Sequence, residues 1–373
     1  MPAPAPSTAA ADTAPAAAGR GLPVYSESEA QLFYHYALAA FCRGPAIRRW
    51  DCGDNCLRAA IVPGTARYLA PSGAYRVQGY VAVLPGDEPQ GSSSRRCVVG
   101  FRGSQPMSLG NLLADYLLFM GPWPRGGEGW CPGCLVHKGF AGAYANVRPS
   151  LLEALQELNC TSVALTGHSL GAALATLASM ELRAGLNVSV EAVWTYGKPR
   201  VGDAHFVEAY IRAADRQGVY PPLWRVVQYR DPIPRMNLYS LPWHPRHEPL
   251  EVYYTTEDSS VYRLCPPTPR QLEDPDCMLA TPVWKCSFSD HMKYLRLPFQ
   301  FPEVCGFWKD LGGERTLVLI GVAFALAMSL LCRRCFCRRC LCCRARKRPR
   351  TAHCCRRHRD EPGLLGSERR CAA

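Results

Sequence analysis

The chain has 373 residues, 48% hydrophobic and 20% charged, which suits one large globular domain or two ordinary ones and excludes a coiled coil, a collagen-like repeat or a wholly disordered chain. The net charge of +12 is uneven: residues 333–373 hold 14 Lys/Arg and 3 Asp/Glu, so the body is nearly neutral and its charge argues for no anionic ligand. Of the 20 cysteines, nine lie in 332–373 and eleven before, and eleven in the body favours an oxidising compartment.

Residues 1–24 are Ala/Pro-rich with few large apolar side chains, and they are expected to be disordered. They lack the basic start and apolar run of a secretory signal. Order is expected from Tyr25. Ser26 and Glu29 have capping-box spacing, and Leu32, Tyr36 and Ala40 then share a helical face. Tyr75–Leu84 and Cys97–Phe101 read as strands across a Pro/Gly/Ser loop. Ser162–Gly167 reads as a short apolar strand, Leu170–Leu186 as a buried helix, and Val190–Tyr196 and Trp224–Tyr229 as further strands. Strands alternating with helical stretches predict an α/β fold with a mostly parallel sheet. Thr316–Cys332 is a run of 17 residues without a charge. At about 1.5 Å per residue it spans roughly 25 Å, short against a hydrocarbon core of about 30 Å. It has no polar face beyond Thr316 and Ser329, and Arg333 and Arg334 follow at once. A transmembrane or membrane-anchoring helix is therefore expected over a core helix.

The most informative segment is Thr166-Gly-His-Ser-Leu-Gly171, a G-x-S-x-G sequence between a strand and a helix. That context is the one a nucleophile elbow requires. The turn would lift the Ser169 hydroxyl clear of the sheet, and the Leu170 N–H at the helix start could face a developing oxyanion. A serine hydroxyl needs a histidine base, itself oriented by a carboxylate, in the chain order Ser, Asp/Glu, His. Asp231, just past a strand and before Pro232, suits the acid; Asp203, in a Gly-rich turn, reads as structural. His205, His244, His247 and His291 are available as bases, and His291 has the right order and position.

Residues 25–312 resemble the class 3 (fungal-type) lipase family of α/β-hydrolases. The resemblance is carried in order by VVGFRGS (98–104), NLLADYLLF (111–119), VHKGFAGAY (136–144), TGHSLGAALA (166–175), TYGKPRVGD (195–203), YRDPIPRM (229–236), HEPLEVYY (247–254) and DHMKYL (290–295). It implies Ser169 as nucleophile, Asp231 as orienting acid, His291 as base, and Ser104 with Leu170 as oxyanion donors. Asp115 would anchor the lid region, Gln105–Ala114 would be the lid, and His137 and His247 would be packing residues. The family usually has glycine where Leu250 stands, which puts that turn in doubt. The implied activity is hydrolysis of a lipid carboxylic ester through an acyl-enzyme, with no metal or organic cofactor. Phospholipase A1 or galactolipase activity is the nearest alternative, and a non-catalytic lipid-binding scaffold is the alternative of another class.

The resemblance also implies disulfides Cys42–Cys305, Cys52–Cys56 and Cys265–Cys277. Cys131 and Cys134 (CPGC) could form a fourth, while Cys97, Cys160 and Cys286 are expected as buried thiols. In the tail, Cys332, Cys335, Cys337, Cys340, Cys342 and Cys343 stand among arginines, a setting for S-palmitoylation rather than zinc. The apolar run makes membrane lipid a better partner for the basic tail than nucleic acid. Oligomeric state is not legible. The positive-inside rule would place the tail in the cytosol and the catalytic domain on the luminal or extracellular side of a membrane.

Overall fold

The computed structural model describes residues 23–86, 95–103, 119–124, 129–236, 245–267 and 273–298. The chain divides into a unit Met1–Leu317, which holds all of these, and a second unit, Val318–Ala373. In chain order the main elements are α1 (Glu27–Ala39), α2 (Gly44–Arg49), α3 (Asp54–Arg58), β1 (Arg67–Ser72), β2 (Val77–Val83), β3 (Arg96–Phe101), β4 (Met120–Pro122), β5 (Leu135–His137) and α4 (Lys138–Glu157). Then come β6 (Ser162–His168), α5 (Leu170–Met180), β7 (Ser189–Tyr196), α6 (Ala204–Arg216), β8 (Trp224–Gln228), α7 (Pro232–Arg235), β9 (Glu251–Tyr254), β10 (Tyr262–Cys265) and α8 (Phe288–His291).

Eight strands form one sheet in the order β1-β2-β3-β6-β7-β8-β9-β10. Strands β3, β6, β7, β8 and β9 run parallel, and the outer pairs β1–β2, β2–β3 and β9–β10 are antiparallel. Side chains of a strand alternate between faces, and here both faces are apolar. Val81, Val99, Leu165 and Val193 join one core with α4, α5 and α6. Tyr80, Val98, Ala164 and Trp194 join the other with α1, α2 and α3. Helices on both faces of a parallel sheet leave the carboxyl ends of the strands as the natural place for a site.

Local chemistry accounts for the helix starts. The Glu29 N–H donates to Ser26 Oγ at 3.2 Å, closing the start of α1. Every residue of α5 is buried, as expected of a helix apolar on all sides. The helix expected to reach Leu186 is α-helical to Met180 and continues as a π-turn, Glu181–Gly185.

Three disulfides join the pairs Cys52–Cys56, Cys131–Cys134 and Cys265–Cys277. Cys42 is also disulfide-bonded; Cys305, its expected partner, lies outside the described residues. The expectation of free thiols at Cys97 and Cys160 is corrected, because they form a disulfide with Cα atoms 5.8 Å apart. The reason is register. In the parallel β3–β6 pair Cys97 sits beside Val163, so the chain entering β6 passes the start of β3. Cys286 is a free thiol.

Among the described residues no helix is long and apolar enough to cross a membrane. The run 316–332, the tail after it with Cys332, Cys335, Cys337, Cys340, Cys342 and Cys343, and the N-terminal segment 1–22 lie outside the described residues.

Candidate active site

Ser169 stands between β6 and α5 with φ 57° and ψ −124°, a conformation that L-residues with a side chain avoid. The turn is held from both sides. Its N–H donates to the Tyr196 carbonyl on the neighbouring strand at 2.9 Å, and its carbonyl accepts from the Ala172 N–H at 3.0 Å. The flanking glycines are required by contact: a Cβ on Gly167 would fall 2.3 Å from the Gly171 carbonyl oxygen, and one on Gly171 would fall 2.2 Å from that of Phe101. Strand and helix thus cross too closely for any side chain, and Ser169 is forced up at the crossing.

Asp231 caps the short helix α7, where the Ile233 N–H donates to its Oδ1 at 2.8 Å. His291 ends α8, and its Nδ1–H donates to Asp231 Oδ2 at 2.7 Å with both side chains fully buried. The Tyr294 hydroxyl donates to the same oxygen. Burial alone would raise the Asp231 carboxyl. The His291 ring and the donors from His291, Tyr294 and Ile233 outweigh it and hold the carboxyl below its ordinary value. Asp231 therefore stays ionised in a buried setting. The proton on His291 Nδ1 is assigned from this bond, which leaves Nε2 as the basic nitrogen. Nε2 is buried with no hydrogen-bond partner among the described residues.

Ser169 and His291 both adjoin the Tyr196–Gly197 corner. Ser169 is tied to the Tyr196 carbonyl, and Gly197 packs on the His291–Asp231 pair. A Cβ there would lie 2.8 Å from His291 Cε1 and 2.9 Å from Asp231 Oδ2, and φ is +58°. Gly197→Ala is expected to push the imidazole aside by a large fraction of an ångström. Ester hydrolysis should then drop about a hundredfold in kcat/KM, with a lower Tm. Unchanged kinetics would show that the pair tolerates displacement.

His168 is buried next to Ser169 in the chain. Its Nε2–H donates to the His291 carbonyl at 2.8 Å, and the two rings lie 4.4 Å apart. Burial, reinforced by His291, pushes its pKa down to about 3, so it is a neutral prop for His291. His247 is likewise buried, donates to the Pro234 carbonyl at 2.9 Å, and is held well below its ordinary pKa, by burial first and then by Arg225, Arg200 and Lys198. Neither ring accepts a proton readily when folded, but both do so near pH 6.5 when unfolded. Below about pH 6.5 the unfolded chain therefore binds more protons, and stability falls as pH drops, by up to about 1.4 kcal/mol per pH unit for each histidine. For His168 the loss stops at about pH 3. The lowered Asp231 adds a loss in the same direction only below about pH 4. Urea midpoints at pH 7, 6 and 5 should decline steeply, and a flat series would contradict buried neutral rings.

The other residues singled out in the sequence fall into place. Asp203 caps α6, accepting from Phe206 N–H at 3.0 Å and Leu135 N–H at 3.1 Å. His137 caps α4, where its Nδ1 accepts from the Phe140 N–H at 3.3 Å. His205 is exposed and lies beside Asp203. Leu170 opens α5 beside Ser169. Leu250 is buried, and its carbonyl accepts from Arg225 N–H at 3.0 Å, so the turn that lacks the expected glycine is made. Ser104, the segment Gln105–Ala114, Asp115 and His244 lie outside the described residues. Sequence reading assigned no role to Tyr294, Gly197 or His168. All three lie inside the quoted blocks, one to three positions from Ser169 or His291 or at a strand end. Cys265, Asp274 and Cys277 converge as metal ligands might, but the two sulfurs are joined, which removes the thiolates a metal needs.

Residues 98–240 match the model of the family described as Lipase (class 3). A secreted mono- and diacylglycerol lipase 2 of Gibberella zeae is 31% identical over 207 residues, covering 48% of this chain and 50% of that protein. Secreted mono- and diacylglycerol lipase A of Penicillium cyclopium is 30% identical over 192 residues, covering 50% and 56%. The chain thus spans about half the length of the curated relatives it matches. The structure of Rhizomucor miehei triacylglyceride lipase superposes with a TM-score of 0.55 at 26% identity, covering 76% of this chain and 98% of that one. These findings overturn the membrane localisation expected from the sequence. The relatives are named as secreted proteins, and no described helix is long and apolar enough to cross a membrane. The physical reason is that an uncharged run of 17 residues is short for a span, and its composition does not say what covers it. Residues 98–240 thus carry the pattern of the class 3 lipase family, on an α/β sheet that superposes on that of a fungal lipase.

Proposed function

We propose that the protein is a serine lipase that hydrolyses carboxylic esters of acylglycerols, mono- and diacylglycerols first. The observation that supports this reading is the Ser169 elbow, tied to Tyr196, together with a buried His291–Asp231 pair that packs on the adjoining Gly197 and whose outer nitrogen is unclaimed among the described residues. Ser169 Oγ attacks the ester carbonyl carbon, and its proton passes to His291 Nε2. The imidazolium so formed lies against an Asp231 carboxylate kept ionised by three donors. Negative charge on the former carbonyl oxygen is met by the Leu170 N–H at the start of α5 and by Ser104. His291 then gives its proton to the departing alcohol. Water repeats the cycle on the acyl-enzyme and releases the fatty acid. The relatives' names and the disulfides support an extracellular setting, where such bonds persist.

The test is hydrolysis by the full chain, made in an oxidising host, of monoacylglycerol, diacylglycerol, triacylglycerol and phosphatidylcholine, alongside labelling by a serine-directed fluorophosphonate. Glycerol ester hydrolysis with stoichiometric label on Ser169 is the expected result. A folded protein that takes no label and cleaves no ester would be a lipid-binding scaffold. Cleavage of phosphatidylcholine alone would make it a phospholipase.

A further inference from the structure

Trp284 is 84% exposed, a large aromatic side chain left in water. It is not on a loose tip. It sits in a short 3₁₀ turn, Val283–Lys285, in which the Lys285 N–H donates to the Pro282 carbonyl at 2.9 Å. Just beyond, the Ser287 N–H donates to the Arg230 carbonyl at 3.0 Å, and the Asp290 N–H donates to Ser287 at 3.1 Å. The connection carrying Trp284 is therefore stapled to the residue next to Asp231, and it ends seven positions later at His291. Trp284 is thus carried on the connection that joins the loop after Asp231 to the helix ending at His291. Two exposed cations belong to this region, Lys285 beside Trp284 in the chain and Arg230, whose guanidinium lies over the Tyr229 ring at 4.6 Å; one exposed acid, Glu257, lies within electrostatic reach of Asp290. The acid on this stretch, Asp290, is buried. An indole with an apolar body and a polar N–H, flanked by cations, is the side-chain set that settles at a lipid–water boundary.

We propose that Trp284, with Lys285 and Arg230, is the contact through which the site's rim beds into the surface of an aggregated lipid substrate, with preference for anionic headgroups. The inference rests on the lipase reading for its occupant. The contact would hold the mouth of the site at the interface without any part in bond cleavage. It concerns transient docking on substrate.

The test uses the full chain in two formats. Binding is measured on the Ser169→Ala background, where catalysis plays no part, with phosphatidylcholine vesicles carrying or lacking phosphatidylglycerol and with brominated acyl chains as fluorescence quenchers. Trp284→Phe should abolish most of the bromine quenching. Trp284→Ala should weaken vesicle partitioning about tenfold, and Lys285→Glu should weaken it only where phosphatidylglycerol is present. On the active background, Trp284→Ala should lower hydrolysis of emulsified ester about tenfold and leave kcat/KM for a dissolved short-chain ester unchanged. Equal partitioning and quenching in all variants would overturn the proposal, as would an equal loss on dissolved ester, which would mark Trp284 as structural. If vesicle binding depends on Trp284 but no ester is cleaved, the docking surface stands and the lipase reading fails.

Discussion

Ser169→Ala is expected to lower kcat for ester hydrolysis by roughly a millionfold, because nucleophile and base act as a unit. Folding should survive. The Ser169 side chain makes no capping bond to α5, and the turn is held by backbone bonds that alanine keeps. A companion variant separates chemistry from strain. At φ 57° and ψ −124° a residue with a Cβ is held at a cost of about 1–3 kcal/mol, whereas glycine adopts this region freely. Glycine's greater freedom in the unfolded chain takes back about 0.5–1 kcal/mol. Ser169→Gly should therefore be about 1 kcal/mol more stable than Ser169→Ala in urea unfolding, while both are inert. A Gly variant no more stable than the Ala variant would mean that the elbow stores no strain. Substantial activity in either would remove Ser169 from the mechanism.

The fold was legible in the sequence where apolar runs are bounded by turns. The central strands were located within a residue or two because β6 is buried from Val163 to its end and β7 over Val193–Tyr196, where the sequence is largely apolar. The edges were not. β1 carries Pro71 and mixes buried with exposed positions, as an edge strand does. β9 is fully buried yet begins with Glu251, a residue that argues against a core strand unless its partner is known. The partner is Arg225, on β8 at 3.0 Å. The motif pointed to Ser169, and chain order to Asp231 and His291. What chain order could not show is which atoms hold them. The Tyr294 hydroxyl and the His168 ring reach Asp231 and His291 only after residues 63 and 123 positions apart are brought together. The same limit hid the Cys97–Cys160 bond, which follows from strand register rather than spacing.

Behind the site lies a feature that a sequence reader would place at the surface. Lys198, immediately after Gly197, donates to Glu248 at 2.6 Å with both side chains fully buried, and also to the Pro199 carbonyl at 3.2 Å. Arg225–Glu251 and Arg200–Glu273 are two further buried pairs, and Arg225 Nε donates to the Glu248 carbonyl at 3.2 Å. Three cations and three anions share one buried region, so removing any one leaves a charge without its partner. Burial lowers the Lys198 ammonium, and Glu248 opposes that shift.

Lys198→Met is therefore expected to destabilise the protein by about 3–5 kcal/mol, the usual result of stranding one member of a buried pair. The loss should be far from additive. The double variant Lys198→Met/Glu248→Leu removes both charges and restores apolar packing, so it should recover most of that loss and leave a large coupling energy in a double-mutant cycle. Catalysis supplies the second readout. Gly197 touches His291 and Asp231, so a single variant that shifts residue 198 should lower kcat/KM even where the protein remains folded, and the double variant should restore it in step with stability. Additive losses in the cycle would mean that the two charges are solvated independently. A single variant costing less than about 1 kcal/mol would put Lys198 in the class of exposed pairs, contrary to its position beneath the site.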